Sequence, residues 1–137
     1  MRDESCIFCK IIAGMIPSFK IYEDEHTLAF LDIAPFEKGH LLVLPKHHAP
    51  MLQDLPLEAL QSTIAVVQKL GNHLIKTLPC DGFNVLQNNG ACATQTVPHV
   101  HFHLIPRHNT TPICWIPGSY PNMDEMATYQ RLLTYTE

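Results

Sequence analysis

Polar and apolar residues alternate strictly through His99-Val100-His101-Phe102-His103-Leu104, and Ile105 closes the run. A period of two is that of a β-strand, so the three imidazoles share one face and Val100, Phe102 and Leu104 the other. Lys20-Ile21-Tyr22-Glu23 and Thr27-Leu28-Ala29-Phe30-Leu31-Asp32-Ile33 predict a hairpin around the polar turn Asp24-Glu25-His26. His40-Leu41-Leu42-Val43-Leu44-Pro45 predicts a third strand, too uniformly apolar to be exposed, and Phe83 to Asn88 a fourth, turned by Asn89-Gly90. Two stretches change to helical spacing. Cys6 to Gly14 predicts a short helix with Ile7, Phe8, Ile11 and Ile12 on its apolar side and Gly14 at its end. Leu57, Leu60, Ile64, Val67, Gly71, Leu74 and Leu78 predict the buried stripe of a long helix that covers a sheet. Asp54-Leu55-Pro56 opens it with an acidic cap candidate, and Pro79 stops it. Gly71 costs this helix about 1 kcal/mol against alanine, which points to close approach of another backbone, such as a second subunit. A last helix is expected after Asn122, capped by Asn122 with Glu125 three residues on, and with Met126, Tyr129, Leu132 and Leu133 on its apolar side.

Composition narrows the class. The 137 residues, 46% of them hydrophobic, suit one domain over residues 1–137 with a real core. A formal charge of -4 with only nine Lys and Arg gives no basic field for nucleic-acid backbone, so no nucleic acid is expected as partner. The N-terminus lacks a charged-then-apolar signal pattern, and no apolar run reaches bilayer length, so no membrane contact and a cytoplasmic location are expected. Five cysteines, an odd count, argue for reduced thiols and against a complete disulfide framework.

Candidate chemistry centres on the histidine strand. Two His at i and i+2 can chelate a catalytic metal, but a third ligand is needed and no Asp or Glu lies between Asp81 and Arg107. That stretch does supply Asn88, Thr94, Gln95 and Thr96, neutral donors suited to an anion. A nucleophilic imidazole beside such donors suits phosphoryl or nucleotidyl transfer through a phospho-histidine. The attacking ring must be neutral, with its other nitrogen held as N–H by an acceptor, and a backbone carbonyl is the expected one. Asp32, sharing a strand face with Phe30, suits either a ribose or a turn. Cys6 and Cys9 are compatible with half of a zinc site, a redox pair or two buried thiols. His26, His40, His73 and His108 are expected to be structural or at the surface, with nothing converging on them.

The run His99 to Ile105 resembles the His-φ-His-φ-His-φ-φ signature of the histidine triad (HIT) superfamily of nucleotide hydrolases and transferases. Similarity extends to Asn88, Gln95-Thr96-Val97, Leu42 to His48 and Ile7 to Ile12, and so spans Cys6 to about Arg107. Thr94 stands where many members carry Gly. Trp115-Ile116-Pro117-Gly118 resembles the Hint branch, whereas Leu104-Ile105-Pro106-Arg107 is closer to the fragile-histidine-triad branch, and residues 106–137 form a variable C-terminal segment.

The resemblance implies an α+β fold, a five-stranded antiparallel sheet with one long helix packed on it, and a homodimer. It implies His101 as nucleophile on the α-phosphorus and His103 on the phosphate and leaving group. Asn88, Gln95 and Thr96 would bind phosphate oxygens, and Asp32 the ribose hydroxyls. Ile7, Phe8, Ile11, Ile16, Phe30 and Ile33 would form a base pocket that favours purine nucleotides by size. Cys6, Cys9, His48 and His99 would bind a structural zinc. The implied reaction is hydrolysis of nucleoside 5′-phosphoramidates or related nucleoside 5′-monophosphate derivatives through a nucleotidyl-histidine. The alternatives are a dinucleoside polyphosphate hydrolase and a catalytically weak nucleotide- or zinc-binding adaptor.

Overall fold

The computed structural model describes residues 3–110, 112–113 and 119–133, so Cys114 and Trp115 lie outside the described residues. Its elements are α1 (Ile7–Ile12), β1 (Lys20–Glu23), β2 (Thr27–Leu31), β3 (Leu41–Pro45), α2 (Leu57–Thr77), β4 (Gly82–Gln87), β5 (Phe102–Arg107) and α3 (Met123–Leu133). The strands form one five-stranded antiparallel sheet in the order β1-β2-β3-β5-β4. No helix among the described residues is long and apolar enough to cross a membrane.

Sheet alternation divides the core in two. Ala29, Leu41, Val43, Phe102 and Leu104 pack with Val66, Val67, Leu70 and Leu74 of α2 on one face. Leu28, Phe30, Leu42 and Leu44 point to the other, where Cys6, Phe8 and Cys9 of the α1 segment cover them. The continuous apolar runs of β2 and β3 therefore have a simple cause: both faces of the sheet are roofed.

The face that α2 buries is rotated from the expected stripe. Thr63, Val66, Val67, Leu70, Gly71 and Leu74 are buried, whereas Leu57 and Ile64 remain 67% and 45% exposed. The two stripes share Val67, Gly71 and Leu74, and periodicity cannot say which flank meets the sheet. Thr63 tolerates full burial because its hydroxyl donates to the Ala59 carbonyl at 2.8 Å. Asp54 does not cap α2: Pro56 holds the cap position, and the Asp54 carboxylate accepts from Met51 N–H at 3.2 Å in the preceding turn. Gly71 makes room for a side chain and not for a backbone, since a Cβ there would lie 2.5 Å from Cζ of Phe83. Filling that gap would force the ring off its place, an overpacking cost of roughly 1–3 kcal/mol.

The short α1 ends as expected, with Gly14 at φ +77°. In α3 the expected cap is present, Asn122 Oδ1 accepting from Glu125 N–H at 2.8 Å. Met123 and Met126 of that helix are exposed, and the side chains of residues 129, 132 and 133 lie outside the described residues.

Candidate active site

β5 begins at Phe102, so His99 and His101 lie in the segment that leads into it, bent at His99, and only His103 is within the ladder. The reason lies in the partners: His99 N–H bonds the Val97 carbonyl and Val100 N–H the Ala49 carbonyl, which takes these residues out of sheet pairing. Alternation survives nevertheless. Val100, Phe102 and Leu104 enter the α2 core, and the three imidazoles stay on the α1 face.

Each ring is held by a different partner, and the partner decides its tautomer. His101 Nδ1 lies 2.7 Å from the carbonyl of His99. A carbonyl only accepts, so Nδ1 carries the proton and Nε2 keeps a free lone pair. For His103 the chain is longer. Phe36 N–H donates to His40 Nδ1 at 3.1 Å, which leaves His40 protonated at Nε2. That nitrogen is 2.9 Å from His103 Nδ1 and must donate to it, so His103 carries its own proton on Nε2. The two catalytic candidates thus present opposite faces, one a lone pair and the other an N–H, with ring centroids 5.0 Å apart. Burial holds both rings below the usual imidazole range, His103 down to about 4, so they are neutral at pH 7.

His40 therefore belongs to the site, contrary to its expected structural or surface role. It is buried, its pKa is lowered chiefly by burial, and Asp32 Oδ2 lies 3.7 Å from its Nε2. A sequence signal existed: His40 continues the alternation through Leu42, and Leu42 pairs with His103 across the sheet.

Beside these rings is a cavity of about 300 Å³ lined by Ile7, Phe8, Ile11, Ile16, Phe30 and Ile33, together with Asp32, Thr96, His101 and His103. All six residues of the expected base pocket thus meet in one cavity. Asp32 uses Oδ1 to accept Ala34 N–H at 2.9 Å, a turn contact, while still lining this cavity. Asn88 and Gln95 lie outside the lining. Gln95 braces the loop: its Oε1 accepts from Gly90 N–H at 2.7 Å, and its Nε2 donates to the carbonyls of Pro50 and Val97 at 2.7 and 3.0 Å. A phosphate contact from its amide would require one of those bonds to open. Thr94 closes the same loop at φ +69°, a conformation costly for a β-branched residue.

The expected zinc ligands also converge. His99 Nε2 donates to the Pro45 carbonyl at 2.8 Å, so its Nδ1 is bare and faces Cys6 Sγ at 3.4 Å and Cys9 Sγ at 3.6 Å. His48 Nδ1 lies 3.4 Å from Cys9 Sγ and 3.1 Å from His99 Nδ1. Zinc–sulfur bonds of about 2.3 Å and zinc–nitrogen bonds of about 2.0 Å give tetrahedral edges of roughly 3.3–3.8 Å. The three sulfur–nitrogen separations fall in that range, the nitrogen–nitrogen one is slightly shorter, and the four donors lie within 4.8 Å of one another, so the set fits that ion. Two imidazole nitrogens facing each other at such range need a cation or a shared proton between them. Asp3 Oδ2, 3.7 Å from His48 Nε2, stands where an outer partner would orient the ring.

The HIT domain profile matches residues 13–110, and the chain belongs to the HIT family. It is similar to the adenosine 5′-monophosphoramidase HNT1 of Saccharomyces cerevisiae, 49% identical over 107 residues that make up 78% of this chain and 65% of that protein. Among solved structures, a HIT family member from Bacillus subtilis superposes with a TM-score of 0.82 at 38% identity, covering 98% of this chain and 100% of that one. A Zn-bound histidine triad family protein from Mycobacterium smegmatis does so with 0.77 at 40% identity, covering 93% and 91%.

The neutral His103 has a consequence for stability. An unfolded imidazole titrates near 6.5, whereas His103 in the fold stays neutral to about 4, so the unfolded chain takes up the proton first. The contribution is fully present above about pH 6.5 and is lost progressively toward pH 4. Melting temperature is expected to fall across that window, and His103→Asn to flatten the fall; an equal slope in both proteins would contradict it.

Proposed function

We propose that this chain hydrolyses nucleoside 5′-phosphoramidates and related nucleoside 5′-monophosphate derivatives through a covalent nucleotidyl-histidine. The observation that carries the reading is the opposed pair of nitrogens, a lone pair on His101 and an N–H on His103, at the edge of an apolar cavity. A purine fits among Ile7, Phe8, Ile11, Ile16, Phe30 and Ile33, Asp32 holds the ribose hydroxyls, and Thr96, Asn88 and Gln95 serve the phosphate oxygens.

In the first step His101 Nε2 attacks the α-phosphorus, and the bond from phosphorus to the leaving nitrogen breaks. The leaving nitrogen takes one proton from water as it departs, while the neutral His103 ring donates its Nε2–H to a phosphate oxygen and steadies the charge there. The Nδ1–H of His101 stays on the His99 carbonyl and steadies the positive charge that the ring acquires. In the second step water attacks phosphorus, His101 leaves, and the proton consumed earlier is returned. His40 is a positioning residue here, since it acts only by keeping the His103 proton on Nε2.

Cys6, Cys9, His48 and His99 hold a structural zinc in this reading. When bound, the ion would supply cross-linking of α1 to the triad segment, because four protein ligands leave no open position for Lewis-acid chemistry. The chain works as a cytoplasmic homodimer, a reading supported by the free thiols of Cys6, Cys9, Cys80 and Cys92 and by the open edge of β4 with Val85 exposed on it.

Rapid quench of the protein with adenosine 5′-phosphoramidate labelled at phosphorus is expected to trap an acid-labile adduct that a folded His101→Ala variant does not form. No adduct and no AMP from the wild-type chain would leave the adaptor reading standing. For the metal, elemental analysis is expected to give about one zinc per chain. Chelation is expected to lower the melting temperature; a Cys9→Ser variant with undiminished zinc would contradict the ligand set.

A further inference from the structure

The triad's face of β5 does not end at His103. Beyond it, Ile105 and Arg107 continue the same alternation, and Leu86 and Asn84 of β4 stand opposite His103 and Ile105. These residues, with Phe36, enclose a second cavity of about 340 Å³. Phe36 roofs it while stacked on His40, with rings 5.5 Å apart and 17° from parallel, and His40 in turn holds His103. The second cavity is thus joined to the catalytic rings by two direct contacts.

Phe36, Leu86 and Ile105 give it apolar walls, Asn84 a polar one, and Arg107 a cation. Arg107 Nε donates to Asn84 Oδ1 at 2.8 Å. Asn84 is level with Ile105, so this bond swings the guanidinium back along the strand toward the triad. Its charge is felt there, adding to the lowering of the His40 pKa. Among the described residues no carboxylate lies within ion-pair distance of Arg107, so its terminal nitrogens are available to an anion.

We infer that this cavity is the leaving-group subsite, and that it selects leaving groups with an apolar body and a carboxylate or similar anion at the far end. The inference rests on the nucleotidyl-histidine reading. In-line displacement places the leaving atom on the side of phosphorus away from His101. The strand runs from His101 past His103 to Ile105 and Arg107, so that side faces the second cavity. As the phosphorus–nitrogen bond breaks, its electron pair goes to the leaving nitrogen, which takes a proton from water. The free amine then lies against Phe36, Leu86 and Ile105, with its anion on Arg107.

The test compares adenosine 5′-phosphoramidates of 4-aminobenzoate and of 4-aminobenzamide, which differ only in the charge at the far end. Wild-type kcat/KM is expected to favour the carboxylate by about tenfold, the discrimination one charge-assisted bond supplies. Arg107→Gln is expected to bring the ratio near one, and Arg107→Lys, which keeps the charge without the fork, to retain part of it. The change in this ratio between wild type and variant cancels the intrinsic reactivity of each amine and any general loss of folded enzyme. A wild-type ratio near one, or a ratio that Arg107→Gln leaves unchanged, would overturn the subsite while leaving the hydrolase reading intact. Failure of the wild-type chain to cleave either compound would overturn both.

Discussion

The hydrogen bond from His101 Nδ1 to the carbonyl of His99, 2.7 Å long, is the contact on which the proposed chemistry depends. It removes one of the two tautomers of that ring and aims the remaining lone pair outward. Because acceptor and ring belong to the same short segment, the bond exists only while residues 99–101 keep their path. That path is fixed by the Val100 N–H on the Ala49 carbonyl and by the His99 ring on the Pro45 carbonyl. Backbone carbonyls thus orient His99 and His101, a task that a carboxylate performs in many active sites.

The two roofed faces of the sheet give each layer a separate task. Under α2 the packing is largely apolar and anchors Val100, Phe102 and Leu104, which sets the height and direction of the intervening imidazoles. Under α1 the same strands present a mixed surface, part core, part cavity and part Cys/His cluster. Phe8 joins these parts, meeting Phe30, His99 and His101 edge-on at centroid distances of 5.7, 5.9 and 5.0 Å. A ring in that position helps bury His101, and burial favours the neutral imidazole that the proposed attack requires.

Much of this was legible in the sequence because it rests on local periodicity. Strict alternation from His99 to Leu104 fixed which residues share a face even though regular pairing starts only at Phe102. The apolar runs at Thr27 to Leu31 and Leu41 to Pro45, the stop at Gly14 and the Asn122 cap are likewise local signals. What stayed hidden depends on partners distant in the chain. His40 looked ordinary because its meaning comes from His103, 63 residues away, and from a backbone N–H at Phe36. The buried side of α2 was misjudged by about one stripe, since a helix with several apolar positions does not declare which flank meets the sheet. Gly71 announced close packing correctly but not its cause, a phenylalanine ring from β4. Gln95 carried the right motif, yet its amide is engaged by carbonyls from Pro50 and Val97, one of them from a distant loop.

The account stands on tautomers, and nitrogen NMR reads them directly. In uniformly 15N-labelled protein at neutral pH, the His101 ring is expected to show a protonated Nδ1 and a bare Nε2, and the His103 ring the reverse. In His40→Phe, which removes the donor to His103 Nδ1, the His103 tautomers are expected to mix while His101 is unchanged. A His101 ring protonated at Nε2 in the wild-type chain would contradict the account at its base.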